Sequence, residues 1–326
     1  MTIYPVFQPL TIAEWIAFDR QHSAPTFQAR PPWALALAAE NPRNTPAPLR
    51  VDVSADLATI VPLVRTQSGR LKWRVFEGTP LDGHDVILST NGTLVDGPAL
   101  TRVLAALRAW NSDSLTLNFW PLLSVASIEG WSSRRFDASI VDLREGPDAA
   151  LARMDGKSRR MAGQAERRGV VCVLQTDAAA IDSYYDLLVL SSKRWGKDKP
   201  IVSKTFLRSL VEHGGADVEI WLARYEGTTI AGLIGLYGTH ECYVWSAVMD
   251  PDKAVLRPHN LLHLRLIQAA AARGMQWYNL GSSEGLPNVK RFKDGLGADT
   301  VPYERFTLEK GAYRVYRKLR GSRAPT

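Results

Sequence analysis

The sequence predicts a mixed α+β fold made of two tandem units, each with a mixed, mostly antiparallel sheet flanked by helices. Its 326 residues exceed what a single hydrophobic core usually organises. Both halves alternate amphipathic helices with short runs of β character. Charge is divided unequally, because residues 1–145 carry 13 basic and 14 acidic side chains and the remainder carries 27 and 19. We therefore expect one domain over 1–145 and a second over 146–309, and the tail 310–326 is a candidate part of the first.

The composition is typical of a globular protein with a sizeable core. Hydrophobic residues make up 45% and charged residues 22% of the chain. Cys172 and Cys242 lie in strand-like runs without a CxxC pattern, which predicts buried thiols rather than a zinc or redox motif. The first residues do not resemble a signal peptide, and no apolar run is long enough to span a membrane. We therefore expect a cytoplasmic protein without a transmembrane segment, whose oligomeric state is unknown.

The first half begins with a helix over 11–19, in which Thr11 and Glu14 have the spacing of a capping box. Prolines interrupt the pattern before a second helix over 33–40, and three more prolines predict a loop over 41–48. Short β runs and one amphipathic helix then follow. The strands are predicted over 58–64, 71–76, 85–88 and 114–120, and the helix over 100–110.

The second half shows the same organisation with clearer signals. A hairpin is predicted across Glu226-Gly227, a dipeptide that suits a tight turn. The last long helix is expected to start with Asn260 as its cap and to stop at Gly274. Helices are predicted over 148–168, 180–195, 204–213 and 260–273, and strands over 170–174, 218–225, 229–237, 241–248 and 277–281.

The basic excess of the second half has two interpretations. A chain that is basic only for solubility has little reason to concentrate the charge in one half, which favours an anionic partner for that half. A solvated basic face without any ligand is the alternative.

The segment 241–281 carries the first candidate site, since it runs strand, loop, helix and strand. Arg257, His259 and Asn260 stand where the loop enters the helix. Free backbone N–H groups and the positive end of the helix dipole favour a phosphate at that position. An ordinary capped helix is the alternative, because every helix has such a terminus.

The following segment places hydrogen-bond donors, one carboxylate and several cations close together in sequence. A strand ending in Ser282-Ser283-Glu284 is followed by Lys290-Arg-Phe-Lys293 between glycines. These groups suit the binding of an anion and the handling of a proton beside it. A surface turn with a basic tail is the alternative.

Several other classes of site are excluded. His259 and His263 have the i, i+4 spacing of a helical zinc pair, but the glutamate and a third ligand are missing, so no metal site is predicted. The sequence contains no GxGxxG, GxxxxGK[ST] or GxSxG motif. Dehydrogenase, kinase and serine-hydrolase functions are therefore not expected.

The order of motifs from Lys157 to Leu308 resembles the FemAB-like branch of the GNAT acyltransferases. The motifs are the basic helix from Lys157, Ala231-Gly-Leu-Ile-Gly, Arg257-Pro-His-Asn-Leu-Leu, Tyr278-Asn-Leu-Gly and Arg291-Phe-Lys-Asp-Gly-Leu-Gly. The segment 23–33 also resembles the opening motif of the family, so the resemblance covers nearly the whole chain. It implies tandem GNAT-like domains, in which 1–145 is degenerate and 146–309 binds the acyl donor.

The resemblance also implies a reaction, N-acyl transfer from coenzyme A or from the 3′ end of an aminoacyl-tRNA to an amine. No tightly bound cofactor is implied, because acyl-CoA or aminoacyl-tRNA acts as a co-substrate. Lys293 is expected to stabilise an oxyanion or a terminal phosphate, and Glu284 to relay the amine proton. The residues expected to bind the donor are Arg257, His259, Asn260, Ser282, Ser283, Arg291 and Phe292.

The acceptor expected from the resemblance is an amine-bearing small molecule or a cell-wall precursor. Tyr243 and Trp245 on one strand face, together with Arg30, are the candidate residues of its pocket. Trp33 is followed by Ala-Leu-Ala-Leu, where the muramyl-peptide binders of the family have a lysine, and Arg30 is the nearby cation able to compensate.

The sequence leaves the donor and the function class open. Basic residues of 157–168 and of the tail favour tRNA as a partner, and acyl-CoA remains compatible. A non-catalytic RNA- or nucleotide-binding protein on a degenerate GNAT scaffold is the alternative from another class. A lipid- or polysaccharide-modifying acyltransferase is a third possibility.

Overall fold

The computed structural model describes residues 3–68, 72–81, 83–283 and 285–319 and divides into two compact units. The first unit consists of Met1–Ala24, Gln28–Phe136 and Pro302–Thr326, and the second of Pro25–Phe27 and Asp137–Val301. The predicted mixed α+β class is confirmed, because both units combine helices with mostly antiparallel strands. Within the described ranges, no helix is long and apolar enough to cross a membrane.

The helices and strands alternate along the whole chain. The helices are α1 (Ile12–Gln21), α2 (Pro31–Glu40), α3 (Gly97–Leu107), α4 (Pro147–Arg153), α5 (Gly156–Arg167), α6 (Ala178–Arg194), α7 (Lys204–Gly214), α8 (Pro258–Ala272), α9 (Pro287–Gly295) and α10 (Gly311–Leu319). The strands are β1 (Val6–Pro9), β2 (Asn44–Pro46), β3 (Leu49–Ser54), β4 (Leu57–Val61), β5 (Val64–Ser68), β6 (Trp73–Glu77), β7 (Leu88–Ser89), β8 (Ser114–Asn118), β9 (Ser132–Asp142), β10 (Val171–Leu174), β11 (Val218–Tyr225), β12 (Thr228–Tyr237), β13 (Glu241–Met249), β14 (Trp277–Ser282) and β15 (Asp299–Glu309).

The first unit packs two groups of strands around helix α3. One group has the order β1-β3-β4-β7 and is antiparallel, and the other has the order β15-β8-β6-β5-β2, in which β6 and β8 are parallel. Helix α1 begins as the sequence predicts, since the Thr11 hydroxyl accepts from the Glu14 N–H at 3.2 Å and the Glu14 carboxylate accepts from the Thr11 N–H at 2.7 Å. The apolar face of α3 is fully buried in the core, through Leu100, Val103, Leu104 and Leu107.

The parallel pair of the first unit is extended by a segment of the same chain. Strands β6 and β8 pair as far as Glu77 and Thr116. The Gly78 N–H then donates to the Thr116 carbonyl at 3.0 Å, and the Asp85 N–H donates to the Asn118 carbonyl at 2.6 Å. The Asp85 carboxylate also accepts from the Asn118 N–H, and burial raises its pKa well above the ordinary value. The segment from Gly78 to Asp85 therefore continues along β8 beyond its pairing with β6.

The second unit has strands in the order β10-β11-β12-β13-β14-β9. All neighbouring pairs are antiparallel except β13 and β14, which are parallel and connected through helix α8. Helix α8 buries Leu262, Leu266 and Ala270, which form one apolar stripe at helical spacing. The predicted hairpin is confirmed, with Glu226 and Gly227 both at positive φ between β11 and β12.

Several strands and helices differ from the sequence prediction. The strands β1, β9 and β15 were not predicted, because β1 contains no alternation and β9 starts with four exposed polar residues. The predicted loop 41–48 contains the short strand β2, which pairs with β5. The predicted helix 148–168 is two helices, since Asp155 is non-helical and caps α5 by accepting from the Ser158 N–H.

Candidate functional site

The two parallel strands of the second unit separate soon after they begin to pair. Strand β13 pairs with β14 only over Glu241–Tyr243. Beyond Tyr243, β13 continues to Met249 paired with β12 alone, while Ser282 of β14 pairs with Ala138 of β9. The carboxyl ends of these parallel strands therefore diverge, which is the place where ligands usually bind in open α/β sheets.

A β-bulge lies on the β13 side of this divergence. Ile234 of β12 is opposite Ser246 and Gly235 is opposite Val244, so Trp245 is the extra residue of the bulge. The indole of Trp245 packs against Phe206 of α7, with ring centroids 5.3 Å apart. This bulge cannot be predicted from the sequence, because a bulge is a mismatch of register between two strands.

On the β14 side, a glycine lies against the ring of Tyr243. Gly281 has a φ of +66°, and a Cβ atom there would lie 2.9 Å from the Tyr243 hydroxyl oxygen. Tyr243 itself is buried. The two predicted acceptor-pocket residues of this strand therefore have different neighbours, since Tyr243 contacts the end of β14 and Trp245 contacts α7.

Helix α8 begins beside the divergence without a capping side chain. Its N-cap is Arg257, which is exposed and adopts the left-handed conformation at φ 59° and ψ 39°. The interpretation of Asn260 as the cap is wrong, because Asn260 is a buried residue of the first turn whose N–H donates to the Arg257 carbonyl at 3.2 Å. Among the described residues, Arg257 makes no side-chain capping hydrogen bond, so the positive end of the helix dipole suits an anion there.

The two histidines of α8 are bonded within the protein. The Nε2 atom of His259 lies 3.0 Å from the Val248 carbonyl oxygen, and the Nδ1 atom of His263 lies 2.6 Å from the Tyr278 hydroxyl oxygen. Burial lowers the pKa of both imidazoles, so both are neutral at physiological pH. Within the described part of the chain, no group of three or more metal-ligating residues surrounds them.

The Lys-Arg-Phe-Lys segment is helical rather than a turn, since it lies in α9. Pro287 in the first turn supports the helix start. Lys293 is 7% exposed, and its ammonium donates to the carbonyls of Gly281 at 3.0 Å and Ser282 at 2.7 Å. Phe292 packs against His263 with ring centroids 5.4 Å apart. Helix α9 therefore holds the end of β14 through Lys293.

The remaining predicted residues have diverse surroundings. Arg291 is exposed on α9, and the buried hydroxyl of Ser283 has no hydrogen-bond partner among the described residues. Glu284 lies outside the described residues. Arg30 belongs to the first unit, where its guanidinium forms a two-pronged ion pair with Asp19 at 3.1 Å.

The structure thus brings together some of the residues that the sequence predicts for the donor site. Ser282 and Lys293 are in direct contact, and Phe292 reaches the first turns of α8 through His263. Sequence reasoning missed Gly281 and Tyr278 as members of this group. The Tyr278-Asn-Leu-Gly motif contains both, so the signal was present but its contacts were not readable from the sequence.

Comparison with known proteins identifies a domain of the second unit. Residues 152–294 match the family model described as the acetyltransferase (GNAT) domain. This part of the chain is therefore similar to GNAT domains, the class that the sequence motifs resemble. No curated protein sequence matches the chain.

Solved structures extend the similarity to almost the whole chain. FemX is 10% identical with a TM-score of 0.71, over 96% of this chain and 99% of that chain. The C-terminal domain of a putative lysylphosphatidylglycerol synthetase from Agrobacterium fabrum is 12% identical with a TM-score of 0.57, over 95% of this chain and 96% of that chain. A tandem GNAT protein from the clavulanic acid biosynthesis pathway is 14% identical with a TM-score of 0.51, over 94% and 99%. The resemblance expected from the motifs is therefore confirmed for the fold.

Proposed function

We propose that the protein is an N-acyltransferase whose second unit binds an activated acyl donor between the ends of β13 and β14. The proposal depends mainly on the divergence of these parallel strands after Tyr243, beside the start of α8, which has no capping side chain. Backbone groups released by the divergence suit the amides and carbonyl of a donor, and the helix terminus suits its phosphate. The GNAT domain over 152–294 supports the same class of reaction.

The proposed donor domain, predicted from the sequence as 146–309, corresponds to the second unit, and the proposed degenerate domain, predicted as 1–145, corresponds to the first unit. In the first unit, the corresponding pair of parallel strands is followed by Gly78 and Asp85, which hydrogen-bond to the same strand beyond the pairing. The buried carboxyl of Asp85 lies beyond the paired residues of β6 and β8. This arrangement supports donor binding in the second unit alone.

In the proposed reaction, the acceptor amine attacks the acyl carbon, a C–N bond forms, and the bond from that carbon to the donor oxygen or sulfur breaks. The enzyme then needs an ordered backbone at the strand ends, stabilisation of the oxyanion and a route for the amine proton. Lys293 orders the backbone at the end of β14, because its ammonium donates to the Gly281 and Ser282 carbonyls. Ser283 offers a buried hydroxyl without a described partner, and Glu284 is the proposed proton acceptor.

Among donors, we favour aminoacyl-tRNA over acyl-CoA. Helix α5 carries Lys157, Arg159 and Arg160, which are exposed and form no ion pair among the described residues. Its start adjoins α9, since the Asp155 N–H donates to the Gly295 carbonyl at 3.0 Å. A basic surface next to the site suits several phosphates of an RNA better than the few of coenzyme A. The proposed acceptor is an amine-bearing small molecule or a cell-wall precursor.

A titration of both donors at two salt concentrations tests this proposal. If about six phosphates are contacted, affinity for charged tRNA should fall about 1,000-fold between 50 and 200 mM salt, whereas acyl-CoA should show a shallow dependence. Arg159→Ala/Arg160→Ala should weaken tRNA binding and reduce the salt dependence. Arg20→Ala/Arg43→Ala in the first unit removes the same charge from exposed positions and serves as the matched control.

Acyl transfer is measured in parallel with a panel of amines that includes peptidoglycan precursors. Transfer from tRNA with a steep salt dependence supports the full proposal. Transfer from acyl-CoA alone would contradict tRNA as the donor and make acyl-CoA the donor of the reaction. Tight tRNA binding without transfer to any amine would contradict the catalytic function and favour an RNA-binding protein on this scaffold.

A further inference from the structure

The connection between α6 and α7 exposes three large apolar side chains within twelve residues. The exposed fractions are 46% for Leu190, 43% for Trp195 and 40% for Ile201. We call residues 190–201 the α6–α7 surface. Scattered single apolar residues are normal on a protein surface, but an exposed tryptophan with two aliphatic neighbours in one short segment is a candidate contact region.

Local hydrogen bonds hold this segment at both ends. Gly196 adopts a φ of +71° after the helix, its N–H donates to the Lys193 carbonyl at 3.0 Å, and the Lys197 N–H donates to the Ser192 carbonyl at 2.9 Å. This arrangement is a helix C-terminal motif that fixes the direction of the following chain. At the other end, Val202 is 2% exposed and anchors the segment in the protein. The apolar side chains are therefore presented to solvent by an ordered backbone.

The same segment is strongly basic. Lys193, Arg194, Lys197 and Lys199 are all exposed, and Asp198 is the single acidic residue between 187 and 203. Among the described residues, none of the four cations forms an ion pair. Leu190 is three and four positions before Lys193 and Arg194 on α6, so these side chains are neighbours on the helix surface. The segment therefore combines free positive charge with exposed apolar groups.

This combination fits the surface of an anionic bilayer. Tryptophan is enriched at the boundary between headgroups and acyl chains, and aliphatic side chains gain by entering it. Lysine and arginine bury their apolar stems there and leave the charge at the lipid phosphates. An RNA would engage the cations and stack on Trp195, but it offers no apolar surface to Leu190 and Ile201. The chemistry of the segment thus favours lipid over RNA.

We propose that the α6–α7 surface docks the protein on an anionic lipid bilayer. Trp195 and Ile201 enter the headgroup boundary, and the four cations contact lipid phosphates. This docking is measured as vesicle binding, without turnover and without any acyl donor.

Vesicle sedimentation of the full chain tests the proposal. We expect binding to phosphatidylglycerol/phosphatidylcholine vesicles that weakens as salt is added, and little binding to pure phosphatidylcholine. Trp195→Ala/Ile201→Ser should weaken the vesicle affinity about tenfold, because it removes the groups that enter the boundary. Lys197→Glu/Lys199→Glu should abolish sedimentation at moderate salt. Since all four side chains are exposed, circular dichroism should show an unchanged fold.

Two matched controls distinguish binding through the α6–α7 surface from nonspecific attraction of any exposed apolar or basic residue to the vesicles. Val255→Ser removes an apolar side chain that is 62% exposed elsewhere in the unit, and Lys157→Glu/Arg159→Glu makes the same charge change on α5. Both should change vesicle affinity less than the α6–α7 variants. The proposal is overturned if anionic vesicles are not bound, or if the controls weaken binding equally. It is also overturned if Trp195→Ala/Ile201→Ser weakens binding of bulk tRNA and leaves vesicle binding unchanged, which would make RNA the occupant.

Discussion

At the residue scale, the position of Lys293 changes how its role is understood. The sequence motif suggests a charge that acts directly on the reacting group. In the structure its ammonium is buried and donates to two backbone carbonyls at the end of β14. A buried ammonium that satisfies backbone acceptors orders that backbone, because each acceptor left unpaired is costly. We therefore propose Lys293 as a positioning residue for the strand end.

Replacement of Lys293 by Met should lower both kcat and stability. The methionine keeps the apolar stem but leaves the Gly281 and Ser282 carbonyls without this donor, which should cost about 1–3 kcal/mol of unfolding free energy for each. If the lysine positions the strand end, kcat should fall at least about 100-fold while KM for the acceptor changes little, because acceptor contacts remain. Steady-state kinetics and urea unfolding measure the two effects.

Lys290→Met is the matched control on the same helix. Lys290 is exposed and pairs with Asp294 at 2.8 Å, so its loss should change stability by less than about 1 kcal/mol and leave kcat near the original value. A Lys293→Met variant that loses stability but retains kcat would show that the lysine is structural only.

At the element scale, helix termini were predicted with mixed success, correctly for α1 and wrongly for α8. Thr11 and Glu14 predicted a capping box, and the structure contains it. Helix α9 was missed because its residues are polar and Gly295 reads as a turn signal, whereas Pro287 at its start and packing of Lys293 and Leu296 make it helical. Local propensity was too weak to decide that element alone.

The turn between β12 and β13 gives a sharp test of close packing. A Cβ atom on Gly238 would lie 2.0 Å from the carbonyl oxygen of Pro25, which is a clash with backbone that cannot move aside as a side chain can. Gly238→Ala should therefore lower the unfolding free energy by at least about 3 kcal/mol. Urea unfolding at constant pH measures this change.

Gly274→Ala is the control, because Gly274 has a φ of +77° but no heavy atom within 4 Å of the added Cβ. It should cost only about 1–2 kcal/mol from backbone strain. Equal destabilisation by the two substitutions would contradict the close approach of Pro25 to Gly238.

At the scale of the whole molecule, the two units are not continuous in sequence. Residues 302–319 belong to the first unit, where β15 pairs with β8 from Arg305–Asn118 to Glu309–Ser114. Phe306 and Leu308 are 1% and 5% exposed in its core. The first unit is therefore completed only when the end of the chain has been added.

A chain that ends at Val301 should lose the stability of the first unit. Removing Phe306 and Leu308 deletes side chains whose truncation costs about 3–5 and 2–5 kcal/mol, which together approach the whole stability of a typical domain. Hydrogen exchange measured by mass spectrometry should show loss of protection in β8 and retained protection in β11 and β12.

A chain that ends at Leu319 is the control and should exchange like the full chain in β8. Full protection of β8 in the shorter chain would mean that the first unit folds without β15.

The sequence by itself determined the mixed fold class, the capped α1, the β11–β12 hairpin and the order of motifs that resembles the FemAB-like GNAT proteins. The first three features depend on local periodicity, capping and turn chemistry, which a single sequence displays, and the fourth is a resemblance of its motifs to a known family. Only the tertiary structure decided that β13 and β14 diverge, that Trp245 forms a bulge and that Lys293 bonds to the end of β14. Each of these depends on strand register or on hydrogen bonds between distant residues, and neither leaves a pattern in neighbouring positions of the chain.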